Sequence, residues 1–179
     1  MDEVIDIVDE FGKETGKTCL KSEAHLHGYF HKTVHVWLYT VDHKILLQKR
    51  ALTKRVFPGL WDISVAGHVG TGEAIINAVK REVWEEIGYV IPHDSLFKIG
   101  TRKQQITHDN GIIDNEIHHV FVAKLTIPIE QLVIDKNEVD SVTLFDLEIL
   151  TKTKNFENIL LPKFHLYYCD VHAKITALI

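Results

Sequence analysis

An α/β fold with a mixed β-sheet is what this sequence predicts, on three observations. Runs rich in β-branched and aromatic residues recur through the first two thirds of the chain. A long segment with a helical apolar stripe follows a glycine cluster near the middle and stops at Gly88, and a second such stripe follows Pro162. Helices that each bury one stripe need a sheet to pack against. The 179 residues match one domain of ordinary size, with no repeat or low-complexity linker to divide them, so a single domain over residues 1–179 is expected.

The elements follow in order. Residues 3–9 and about 17–21 read as strands of an N-terminal hairpin, an extension over about residues 1–22. Thr33–Tyr39 has the side chains of a partly buried strand, and Asp42-His43 turns the chain into a second strand over 44–50. Residues 51–60 form a polar connection containing Pro58-Gly59, Trp61–Val65 reads as a short strand, and Gly67, Gly70 and Gly72 follow. A helix is predicted over about 72–87. Thr71 is placed to cap its first amides, Glu73 to sit at the positive end of its dipole, and Gly88 to end it in a left-handed conformation. Asn110-Gly111 is a strong two-residue hairpin signal between runs at 97–109 and 112–125, which should pair antiparallel. Phe164, Tyr168, Val171, Ile175 and Leu178 recur at helical spacing in a final helix over about 162–178, a stripe read as core contact.

Composition narrows the function. Lys plus Arg is 20 and Asp plus Glu is 25, a formal charge of −5, which argues against a partner that is a nucleic acid polymer. Cys19 and Cys169 make no disulfide framework and lack metal-site spacing. The acidic start has no signal-peptide pattern, and no run of about 18 apolar residues occurs, so a cytoplasmic protein without a membrane partner is expected. Neither a phosphate loop of the Walker or dinucleotide type nor a nucleophilic cysteine context is present.

On the central helix, Glu82, Glu85 and Glu86 fall within an arc of roughly 100° that continues the apolar stripe of Ile75, Ala78 and Val79. Turned toward the protein body, three carboxylates repel one another and lose hydration, which raises their pKa values or demands a compensating cation. Oxygen ligands suit Mg²⁺, with Mn²⁺ as the alternative, and Mg²⁺ commonly sits between carboxylates and substrate phosphates. The competing reading is a solvated acidic helix face.

The whole stretch decides between the two readings. Gly67, five residues, Glu73, seven residues, then Arg81-Glu82-Val83-Trp84-Glu85-Glu86-Ile87-Gly88-Tyr89 resembles the Nudix box at eight specified positions, with only Tyr89 replacing an aliphatic residue. The resemblance implies a Nudix-type α/β/α sandwich. It also implies divalent cations bound through Glu82, Glu85, Glu86 and the Gly67 carbonyl, with Arg81 and Glu73 orienting the loop and the ligands.

Over roughly residues 20–150 the chain is further similar to the isopentenyl-diphosphate isomerase branch of that superfamily, through Tyr29–Trp37, Leu47–Trp61, Ser64–His68 and Asp114-Asn115-Glu116. That likeness implies metal-binding positions at His31, His68, Asp114 and Glu116, and diphosphate-binding positions at Arg50 and Lys54. Asp114, Glu116 and His118 would share one face of a strand by its two-residue period. The isomerase's acid/base pair is incomplete: Glu116 is present, but Ala66 stands where that enzyme has a cysteine, and Gln104 where it has a tyrosine.

The expected function is therefore a Mg²⁺-dependent hydrolase that cleaves a diphosphate linkage in a nucleoside diphosphate or a derivative of one by water attack at phosphorus. Glu82 and Glu116 are the two candidates for the general base. An isomerase-like enzyme and a non-catalytic nucleotide sensor are the alternatives.

Overall fold

The computed structural model describes residues 2–152 and 159–179. Its framework is nine strands: β1 (Val4–Val8), β2 (Glu14–Leu20), β3 (His31–Tyr39), β4 (Lys44–Arg50), β5 (Trp61–Asp62), β6 (Val65–His68), β7 (Leu96–Thr107), β8 (Ile113–Lys124) and β9 (Val139–Asp146). Three α-helices accompany them: α1 (Lys21–His27), α2 (Ile75–Ile87) and α3 (His165–Thr176).

Strand β3 is the hub. It runs parallel to β8 along its length, from His31↔Glu116 to Tyr39↔Lys124. On its other edge it meets β1 at Ile7↔His31, β6 from Thr33↔His68 to Val36↔Val65, and β4 at Tyr39↔Ile45. The sheet thus forks where β3 passes from β6 to β4. Ser64 fills that fork: its hydroxyl donates to the Leu46 carbonyl at 2.5 Å and accepts the Leu38 amide at 2.8 Å, replacing ladder bonds that the diverging strands cannot make.

The two-residue period of β3 gives each face its own core. Val34, Val36 and Leu38 pack with Ala78, Val79, Val83 and Ile87 of α2. Trp37 and Tyr39 pack with Tyr167, Tyr168, Val171 and Ile175 of α3. Each such side chain, fully buried, stabilises the fold by roughly 1.5–3 kcal/mol before entropy is counted. One helix on each face of a mixed sheet is the α/β/α sandwich that the sequence predicts.

Several elements differ from expectation. The run at 61–65 is two strands, β5 and β6, because Ser64 turns aside to bridge the fork and pairing resumes through Gly67. Strand β2 starts at Glu14 rather than near 17, since pairing with β1 draws in residues of low strand propensity. Helix α2 starts at Ile75, and Thr71 does not cap it: the Gly70 amide donates to Glu73 Oε2 at 3.0 Å and the Gly72 amide to Asp6 Oδ2 at 2.9 Å. Gly88 does end the helix, at φ 63°, with its amide on the Trp84 carbonyl. In α3, Tyr168, Val171 and Ile175 are buried, but Leu178 lies beyond the helix end and is exposed. Helix α1 and strand β9 have no counterpart in the sequence reading.

Candidate active site

The fork opens into a cleft of about 980 Å³ lined by the ends of β3, β6 and β8, by α2 and by the 51–60 connection. Helix α2 lies unusually close to β6. A Cβ built on Gly67 would come within 2.0 Å of Glu82 Cδ, so only glycine lets the helix bring this carboxylate against the strand.

Glu82 and Glu86 are buried and Glu85 stands at the rim with its side chain about half exposed. Burial pushes the Glu82 carboxyl up to about 7, against the pull of Arg81, and the Glu86 carboxyl up to about 8, with Glu82 adding repulsion. Gln48 donates one hydrogen bond to Glu86 at 3.0 Å. Arg81 holds the group together: it grips Glu73 through Nε and Nη2 (2.9 and 2.8 Å), reaches Glu82 at 2.7 Å and Glu85 at 3.0 Å, and donates to the His68 carbonyl at 2.9 Å. Glu73, with its carboxyl drawn below the usual range by Arg81, fastens the loop to the helix.

These shifts have a consequence for stability. Glu82 and Glu86 hold protons in the folded state that the unfolded chain, near 4.5, has already released. Without a cation, stability therefore falls as pH rises from about 5 to about 8. In chelator, the melting temperature is expected to drop by several degrees across that range. Glu86→Gln should flatten the slope and added Mn²⁺ should offset it; a melting temperature that rises from pH 5 to 8 in chelator contradicts the burial account.

A group of side chains able to hold a metal ion forms the opposite wall. His25, His31, His68 and Glu116 each place one donor atom within 4.8 Å of the others. His31 is fully buried; its Nδ1 is 2.9 Å from the Tyr29 carbonyl, which can only accept, so Nδ1 is the donor and Nε2 is the nitrogen turned to the cluster. That Nε2 has no hydrogen-bond partner among the described residues and lies 3.5 Å from Glu116 Oε1. His25 Nε2 faces His68 Nε2 at 3.1 Å, and His25 Nδ1 lies 2.9 Å from Asp114 Oδ1. Burial opposes charge on His25, yet Asp114 and Glu116 outweigh it and raise its pKa, whereas burial and His31 hold His68 well below its usual value. Imidazole nitrogens converging beside a carboxylate, one ring backed by a second carboxylate, suit a divalent cation.

The structure brings Glu82, Glu85, Glu86, Gly67, Arg81, His31, His68 and Glu116 to one cleft, together with Arg50 and Lys54. Three details differ from the expected site. Asp114 is outside the converging set, because it is turned to His25 and to His108 Nε2 at 2.7 Å. Arg50 is committed to Asp62 at 3.1 Å and to the Val56 carbonyl at 3.0 Å, and Lys54 is paired with Glu138. His25 was not anticipated; its only sequence signal is the histidine density of residues 25–43, which holds five of the twelve.

With this geometry established, comparison with known proteins is decisive. The NUDIX domain model matches residues 29–164. The chain belongs to the Nudix family. It is 35% identical over 145 residues to Nudix hydrolase 3 of Arabidopsis thaliana, covering 79% of this chain but only 19% of the plant protein, so it spans about a fifth of that relative. It is also 35% identical over 115 residues to isopentenyl-diphosphate Delta-isomerase of Pectobacterium atrosepticum, covering 64% of this chain and 62% of the isomerase. The crystallised NUDIX domain of Shewanella oneidensis NrtR, in complex with ADP ribose, shares the fold at a TM-score of 0.59 and 20% identity, over 88% of this chain and 98% of that one. Among the described residues, no helix of this Nudix protein is long and apolar enough to cross a membrane.

Proposed function

We propose that this Nudix protein is a divalent-metal-dependent pyrophosphohydrolase that cleaves a diphosphate linkage by water attack at phosphorus, with a nucleoside diphosphate or a derivative of one as substrate. The observation that carries the reading is the complete carboxylate set of α2 lining the cleft, with Glu82 held against Gly67. Glu82, Glu85, Glu86 and the Gly67 carbonyl would hold one cation, and His25, His31, His68 and Glu116 a second; the oxygen set suits Mg²⁺, the mixed set Mn²⁺. A bound divalent cation supplies charge neutralisation at the phosphoryl oxygens and a more acidic attacking water.

The chain's own residues do the rest. Arg81 fixes the carboxylates in register through Glu73. Arg50, whose Nη2 has no hydrogen-bond partner among the described residues, can fork toward a phosphate oxygen while Asp62 steadies it. Lys54 offers a point charge once it leaves Glu138. Either Glu82, whose carboxyl burial pushes up to about 7, or Glu116, on the facing wall, would take the proton from water. The ADP ribose held by NrtR marks nucleotide-derived diphosphates as the first ligands to try.

The test is release of monophosphate products from ADP, UDP, ADP-ribose and UDP-glucose, with Mg²⁺ and with chelator. Metal-dependent release from at least one supports the reading, and none from any overturns it. The isomerase relative motivates a second assay. Ala66 cannot relay a proton, so isopentenyl diphosphate incubated with the protein in D₂O is expected to gain no deuterium by mass spectrometry. Uptake matched to enzyme concentration would reverse that expectation.

A further inference from the structure

The cleft continues from the ligand cluster toward α3 over a patch of sheet that neither metal set uses. The strand registers fix its floor: Thr33 lies beside His118 and His68, His35 beside Ala66, and Gln104 beside Glu116. On this face the next positions along the strands, Trp37 and Val120, belong to the apolar core under α3. Between the metal wall and that core lies a polar band.

The band is organised for hydrogen bonding. Thr33 Oγ1 is 2.6 Å from His118 Nδ1, and the His118 and His35 rings stack with centroids 3.9 Å apart. His35 Nδ1 is 3.0 Å from the Tyr167 hydroxyl, which accepts the Trp37 indole N–H at 2.8 Å. Tyr167 thereby ties His35 to the buried Trp37 and fixes the orientation of the imidazole. The Gln104 amide makes no side-chain hydrogen bond among the described residues and lines the cleft. Ala66, beside His35 in the strand register, contributes only a methyl group to the cleft lining.

This chemistry discriminates among ligands. A prenyl or other hydrocarbon group would leave the Gln104 amide and His118 Nε2, which is buried and has no hydrogen-bond partner among the described residues, unmatched, and a buried site penalises that heavily. A further phosphate is poorly matched, because burial keeps His35 uncharged, its pKa pushed down to about 3. A nucleobase needs an open aromatic face, and Arg102 already covers that of Tyr167 at 4.2 Å. A hydroxylated ring, with donors and acceptors spread over its edge, satisfies the band.

We propose that His35 and Gln104, beside Thr33 and His118, are specificity-determining residues that select a sugar or similar polyol attached to the diphosphate. The proposal rests on the pyrophosphohydrolase reading for where the phosphates lie, but its test requires no turnover. Calorimetry with Ca²⁺ in place of Mg²⁺ compares ADP-ribose with ADP and UDP-glucose with UDP. The unsubstituted protein is expected to prefer the sugar-bearing member of at least one pair by about tenfold. His35→Phe and, for a half-buried position that tolerates change, Gln104→Leu should bring that preference close to unity while ADP and UDP affinities stay within about twofold. Equal affinity within both pairs overturns the proposal, as do variants that weaken sugar-bearing and sugar-free ligands alike, or isopentenyl diphosphate binding more tightly than all four. Failure of the hydrolase reading would look different: sugar preference would persist with no monophosphate released in Mg²⁺.

Discussion

Glu85→Gln is expected to lower kcat for diphosphate hydrolysis by about 100-fold or more while the protein stays folded. Glu85 stands half exposed at the cleft rim, and its hydrogen-bond partner is Arg81 at 3.0 Å. Exposed pairs of this kind contribute about 0–1 kcal/mol, so the amide should move the melting temperature by only a few degrees. The expected loss comes from the missing charge: a neutral amide beside Glu82 and Glu86 would weaken the grip on the cation that, in the proposed site, three carboxylates would share. Mn²⁺ affinity, followed by electron paramagnetic resonance, should fall along with turnover. Undiminished turnover in this variant would remove Glu85 from the metal assignment.

Gly67→Ala is the second large effect. The added methyl would lie 2.0 Å from Glu82 Cδ and 2.3 Å from its Oε2, far inside contact distance, so either the carboxylate leaves or α2 lifts from β6. Overpacking of this kind costs on the order of 1–3 kcal/mol. The Val83 and Ile87 side chains that share α2 with Glu82 would lose contact with β3 if the helix moved. The double variant Gly67→Ala, Glu82→Ala separates the two effects. Removing the glutamate should recover most of the melting temperature but none of the activity, giving a positive coupling between the sites. A fully active Gly67→Ala protein would mean that α2 does not need this close approach.

Much of the sheet framework was legible because β3, β4, β7 and β8 carry their own local signals: dense β-branched and aromatic runs joined by Asp42-His43 and Asn110-Gly111. Helix α2 was legible because its apolar stripe, its glutamates and Gly88 stand in fixed register. What escaped depends on tertiary contacts. Strand β9 (Val-Asp-Ser-Val-Thr-Leu-Phe-Asp) alternates too weakly to announce itself and exists by pairing with β4. Helix α1 has seven residues and buries only Ala24, so no periodicity betrays it, yet it delivers His25 to the ligand cluster. Thr71 has the right chemistry for a cap, but Asp6, contributed by the distant β1, reaches the turn instead. In the same way Lys54 and Arg50 read as free cations along the chain, and only the fold shows Glu138 and Asp62 beside them.

Oxygen-18-enriched water tests most directly whether this cleft directs water onto phosphorus. The protein is supplied with Mg²⁺ and a nucleotide-derived diphosphate, and the product masses are read. The account predicts one oxygen-18 atom in a phosphate-bearing product, formed only while the divalent cation is present. Phosphate products without the label, or turnover indifferent to chelation, would contradict it.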